Sequence, residues 1–220
     1  MSSHSRRKFL NNIWKGCIGM GMTGVLSSCA KGEAKVDLPI FDDVDICVLG
    51  GSCTGVFAAV RAARLGATVA VVEKQNAFGG VATNSLVNVW HSLYDVGKTQ
   101  RIIAGLTQEV IDRLDERDAV ERNPNPSSAY RLNSQELKIE LDELVLESGI
   151  HPHLHTLFSE PYLDGDGNLT GVIVDGKSGR GIIKAKYFID ATGDGDLCYR
   201  LGLKTYTFDL LQPPTVCAHL

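Results

Sequence analysis

The chain lacks the features that mark several function classes. Its 6 cysteines, Cys17, Cys29, Cys47, Cys53, Cys198 and Cys217, form no C-x-x-C pair, so neither a zinc ribbon nor a dithiol redox motif is written in it. Spacing alone gives no disulfide pairing. It also lacks basic excess: Lys and Arg number 22 against 26 Asp and Glu, and setting aside the four basic residues of positions 1–28 leaves 18 against 26, a net charge of −8. That balance argues against nucleic acid and a polybasic membrane patch as partners. There is no internal repeat and no long low-complexity run. The apolar stretch over residues 17–26 is too short to cross a bilayer as a permanent helix.

What is present starts with a strand, a glycine turn, a helix and a second strand over residues 45–74. Ile46, Val48 and Leu49 form a short apolar run suited to a parallel strand buried on both faces. Gly50, Gly51 and Gly55 turn the chain into an alanine-rich helix. Ala58, Ala59, Ala62 and Ala63 let that helix lie close to a sheet, with its unpaired amides and positive dipole end turned to a phosphate. The second strand, residues 69–72, delivers Glu73 eighteen residues after Gly55, where a carboxylate accepts from a ribose diol and repels a 2'-phosphate. As G-x-G-x-x-G the sites are Gly50, Ser52 and Gly55, with serine in the middle place. Ser52 either donates its hydroxyl to a phosphate or holds the ligand away.

Two later motifs bear on which dinucleotide is bound. After Glu73 and Lys74 come Gly79, Gly80 and Thr83, and Asp190 begins DATGDGD behind an apolar strand at residues 187–189. Together these stretches resemble the FAD-dependent oxidoreductases of the glutathione-reductase-like superfamily, over residues 45–203. The resemblance implies a Rossmann-like α/β fold with a parallel sheet and a small antiparallel β insertion, and FAD as cofactor. It places Gly50, Gly51, Ser52 and Gly55 around the pyrophosphate, Glu73 at the adenosine ribose, and Gly79, Gly80 and Thr83 along the extended cofactor, with Lys74 also among the cofactor-binding residues. Ala191, Thr192, Gly193 and Asp194 would close the adenosine side. The bland reading of DATGD is a strand-to-helix turn with Asp194 as N-cap. A plain NAD-dependent dehydrogenase is disfavoured, because it needs neither the glycine pair nor DATGD.

The first 28 residues read as an export address. SRRKFL, with Arg6 and Arg7, matches a twin-arginine motif, and Leu26, Ser27, Ser28 and Cys29 match a lipobox. Cys29 would then carry acyl chains that hold the protein to the cell envelope. The alternatives are cleavage near Ala30 or an uncleaved anchor. Residues 29–43 form a polar tether and 44–220 the FAD-binding domain, expected to be incomplete at its C-terminal end because similar flavoproteins continue into a substrate domain. The function expected is an exported, lipid-anchored FAD-dependent oxidoreductase acting on a small molecule. A non-catalytic FAD-binding fragment or scaffold lipoprotein is the other class. Substrate, electron acceptor and oligomeric state are not written in these residues.

The remaining candidates are weaker. His91, among Asn88, Trp90, Ser92, Tyr94 and Asp95, is the candidate for an acid, a base or a covalent flavin link, against a structural role. Cys53 lies in the phosphate loop, where a small side chain suffices. His151, His153 and His155 alternate as on an exposed strand face with no acid joining them, so no metal is expected. Asp164, Asp166, Asn168 and Asp175 imitate a calcium loop, but Leu169 stands where glycine is needed, and the segment reads as a hairpin turn. Helical spacing is expected over residues 102–114 and 134–146, with a loop over 121–129.

Overall fold

Strand β1 (Ile40–Leu49) is the axis of the fold in the computed structural model, which describes residues 37–122, 130–206, 211, 213, 214 and 217. Its apolar run is covered on both faces. Val48 packs with Val56 and Val60 on one side, while Cys47 and Leu49 pack with Val172, Val174 and Ile183 on the other. Burial of both faces is what lets an unbroken apolar run pair in parallel. β1 pairs in parallel with β2 (Val69–Val72) and with β9 (Gly179–Asp190), the last strand among the described residues. The sheet is completed by β6 (His151–His153), β7 (Thr156–Leu163) and β8 (Leu169–Gly176), in the order β6-β2-β1-β9-β8-β7. β7, β8 and the first half of β9 form the expected antiparallel insertion, and the DGDGN stretch is the turn between β7 and β8.

Helix α1 (Cys53–Arg64) joins β1 to β2, buries Val56, Ala59 and Val60, and places Arg61 and Arg64 in its last turn, where cations suit the helix dipole. Helices α2 (Leu106–Glu116) and α3 (Ser134–Glu147) pack beside it through Val110, Leu114, Leu137, Leu141 and Leu144. Arg64 holds Glu109 through two hydrogen bonds of 2.7 and 2.8 Å, and Arg113 reaches Glu147 at 2.8 Å, linking the three helices. A second, antiparallel sheet of β3 (Val89–Trp90), β4 (Val120–Arg122) and β5 (Tyr130–Leu132) runs in the order β3-β5-β4. A short helix, α4 (Asp196–Arg200), follows β9.

Three expectations change. The tether read to Asp43 overlaps β1, because Ile40, Asp42 and Asp43 pair with Ile182, Ile183 and Lys184. The helix expected from residue 102 starts at Leu106: the Ile102 and Ile103 amides both donate to the Leu93 carbonyl, and Gly105 has φ 69°. Glu121 belongs to β4 rather than to a loop, and residues 123–129 of that loop lie outside the described residues. So do Arg6, Arg7, Cys17 and Cys29. Among the described residues no helix is long and apolar enough to cross a membrane.

Candidate functional site

The carboxyl ends of β1, β2 and β9 open on one cleft of about 800 Å³, the location where α/β sheets hold ligands and a volume suited to one. Its floor is the turn after β1. Gly50 has φ +98°, and a Cβ there would lie 2.3 Å from the Ala191 carbonyl oxygen; a Cβ on Gly55 would lie 1.9 Å from the Gly50 oxygen. Both glycines let the turn press against the exit of β9 and let α1 begin immediately behind it. Gly51 and Gly55 therefore stand behind the cleft wall instead of lining it.

Ser52 lines the cleft as the N-cap of α1, its Oγ accepting the Gly55 amide at 3.4 Å. This is a third role beside the two expected, and it leaves the hydroxyl's own proton for a ligand. Cys53 and Thr54 also line the cleft, and their amides in the first turn of α1 have no acceptor within the helix, whereas the Gly55 amide is taken by Ser52. Burial pushes the Cys53 thiol up to about 12, which keeps it protonated.

Glu73 follows directly on β2 with only 6% exposure. One carboxylate oxygen accepts the Gly51 amide and the other the Gln75 amide, each at 2.7 Å. The Glu73 backbone is strapped as well, donating to the His153 carbonyl at 2.9 Å and accepting from the Thr156 amide at 3.0 Å. The carboxylate is thus fixed, with lone pairs left for a diol in the cleft. Lys74 and Gln75 line the space beside it.

The second glycine pair is bolted to the first turn: the Gly79 amide donates to the Gly51 carbonyl at 2.8 Å, and Ser52 and Gly79 form an isolated parallel bridge. Gly79 and Gly80 both have positive φ and line the cleft. Thr83 does not. It is fully buried, its Oγ1 donates to the Phe78 carbonyl at 2.7 Å, and a Cβ on Gly79 would strike it at 2.3 Å, so it props the glycine pair from behind. The far wall is apolar, made by Val81, Val87, Val89 and Trp90, with Trp90 set edge-on against Phe57 at 6.4 Å.

Ala191, Thr192, Gly193 and Asp194 line the opposite side. Asp194 is not the N-cap of α4; that position is Gly195, without a side-chain cap. The capping acceptor is Asp190, which takes the Leu197 and Cys198 amides at 3.0 and 3.1 Å and the Thr192 hydroxyl at 2.7 Å. Partial burial works to raise its carboxyl, but these bonds outweigh it and hold the group below the ordinary carboxylate range. The Asp190-x-Thr192 spacing, an aspartate two residues before a turn hydroxyl, was the legible signal for this role.

The structure does not bring His91 to the cleft; it is exposed, and Asn88 donates to the Leu132 carbonyl at 2.8 Å. The histidine alternation does acquire an acid: Asp42 Oδ2 lies 2.8 Å from His151 Nδ1 and 3.1 Å from His153 Nε2. Among the described residues, no three potential ligands are arranged to hold a metal.

A parallel sheet, a glycine turn into a helix and a strand-end carboxylate around one cleft define a dinucleotide-binding α/β protein. The family model described as FAD dependent oxidoreductase matches residues 45–217, and the chain belongs to that family. Its cofactor is FAD. Residues are 39% identical over a 64-residue stretch to dihydrolipoyl dehydrogenase of Trypanosoma brucei brucei, covering 26% of this chain and 13% of that protein. Among solved structures, THI4 of Thermovibrio ammonificans is similar at 19% identity and TM-score 0.55, covering 74% of this chain and 64% of that one. A geranylgeranyl bacteriochlorophyll reductase-like protein of Thermoplasma acidophilum is similar at 18% identity and TM-score 0.52, with 74% and 43% covered. These likenesses show the fold. The residues present fit an extended dinucleotide: a Cβ on Gly193, φ +87°, would meet nothing within 4 Å, so the backbone there is open to close approach.

Proposed function

We propose that the chain holds FAD for an oxidoreductase that moves electrons or hydride between a small-molecule substrate and an acceptor, in a protein exported by its twin-arginine leader and anchored through Cys29. The observation that carries the cofactor reading is Glu73, a buried carboxylate fixed by two backbone amides at the rim of a cleft whose other side is a helix N-terminus. Glu73 would accept the ribose hydroxyls. The first-turn amides of α1 and the Ser52 hydroxyl would hold the pyrophosphate, and Gly79 and Gly80 would let the cofactor extend past them. Val87, Val89 and Trp90 would exclude water from the apolar end. Bound FAD supplies the redox chemistry, and the protein orients it. Export in the folded state fits a protein loaded with FAD in the cytoplasm.

Titration calorimetry of the cofactor-stripped chain with FAD, NAD+ and NADP+ tests this. FAD binding at least tenfold tighter than either nicotinamide dinucleotide supports the reading, and equal or tighter NAD+ binding would overturn it.

A further inference from the structure

The six residues after β9, Ala191 to Asp196, include two glycines with left-handed backbone, Gly193 at φ +87° and Gly195 at φ +71°. Such a segment has many accessible conformations when free, and ordering it on ligand binding would weaken affinity. It is nonetheless built around one fixed centre. The Asp190 carboxylate accepts from the Thr192 amide and hydroxyl at 3.2 and 2.7 Å, and from the Leu197 and Cys198 amides at 3.0 and 3.1 Å. The Thr192 hydroxyl in turn accepts from the Gly195 and Asp196 amides at 3.0 and 3.1 Å. One carboxylate and one hydroxyl thereby gather the backbone donors on both sides of Gly193 and Asp194, which face the cleft.

We infer that Asp190 and Thr192 act together as a positioning pair that presets the cofactor-facing turn, so that Gly193 and Asp194 meet FAD without first being ordered. The inference rests on the FAD reading above. Asp190 itself does not line the cleft, so its effect on binding runs through the turn.

The same chemistry occurs at the opposite end of the sheet and supplies a control. Asp45 accepts from the Thr68 amide and hydroxyl at 2.9 and 2.8 Å, at the start of β1–β2 pairing and away from the cleft. Removing the Thr68 hydroxyl costs comparable hydrogen bonds without touching the proposed turn.

The experiment compares the full chain with T192V, T192S, D190N and T68V, measuring FAD affinity by flavin fluorescence quenching and the thermal midpoint of each cofactor-stripped protein. T192V and D190N should weaken FAD by about tenfold or more, as expected for lost charge-assisted bonds. T192S, which keeps the hydroxyl, should restore affinity to within about twofold of wild type. T68V should lower the midpoint as T192V does while leaving FAD affinity unchanged. If D190N does not fold, Asp190→Glu, which keeps the charge but displaces the carboxylate by one methylene, is measured in its place with the same expected loss, because Thr192 itself lines the cleft. Wild-type affinity in T192V, or an equal loss in T68V, would overturn the positioning role while leaving the FAD reading standing. Absence of FAD binding in the wild type would instead remove the FAD reading and this inference with it.

Discussion

Replacing Glu73 by alanine separates the cofactor role of the site from its role in the fold. The side chain is 6% exposed and both oxygens accept backbone amides at 2.7 Å. Deletion removes a charged acceptor from the ribose, worth about 1.5–3 kcal/mol, or roughly 10–100-fold in FAD affinity. It also leaves the Gly51 and Gln75 amides without their acceptor. Because the cleft admits water on that side, the cost falls near the lower end of the ~1–3 kcal/mol range for an unmade buried bond. At about 2–4 °C per kcal/mol, the cofactor-free protein should melt several degrees lower. Glutamine is a poor rescue, since its amide group would set an N–H against one of the two donors. The assay is paired titration with FAD and with FMN, which has no adenosine ribose. FAD should weaken in Glu73→Ala and FMN should not. Unchanged FAD affinity, or an equal loss for both flavins, would refute the assignment of Glu73 to the ribose.

Other outcomes follow from the same geometry. Gly55→Ala would place a Cβ 1.9 Å from the Gly50 oxygen, and overpacking of about 1–3 kcal/mol should lower the midpoint by several degrees in a thermal melt. The Asp190 carboxyl is held below the ordinary range, so its stabilisation is complete above the unfolded value near ~3.9 and is lost as pH falls through the lower folded value. Melts from about pH 6 to 2 should fall more steeply for wild type than for D190N. Arg6→Lys with Arg7→Lys should retain the precursor in the cytoplasm, and Cys29→Ser should abolish lipid labelling and membrane fractionation; unchanged fractionation of the cysteine variant would contradict the lipobox.

The sequence made β1, α1 and β2 legible because their order is local: an apolar run, glycines where the turn needs them, alanines against the sheet and a terminal acid. The β7–β8–β9 insertion was legible for a similar reason, as turn residues separate its strands. The β3-β5-β4 sheet was not, since strands of two or three residues carry no periodicity and Trp90 meets Tyr130 only through folding. The Asp42–His153 contact spans 111 positions and has no local signature. Thr83 followed the glycine pair in the motif, yet a motif does not say which way a side chain points. Ile103 matched helical spacing in a stretch read from Ile102, but the Leu93 carbonyl took both their amides.

The central claim is that this chain carries FAD, and the most direct measurement is the identity and amount of the ligand released from protein folded in the cytoplasm. The account predicts a yellow protein with a flavin absorption band, from which denaturation liberates FAD at close to one per chain, identified by mass spectrometry. Fully folded protein that releases NAD or no nucleotide, and takes up no FAD when it is added, would contradict it.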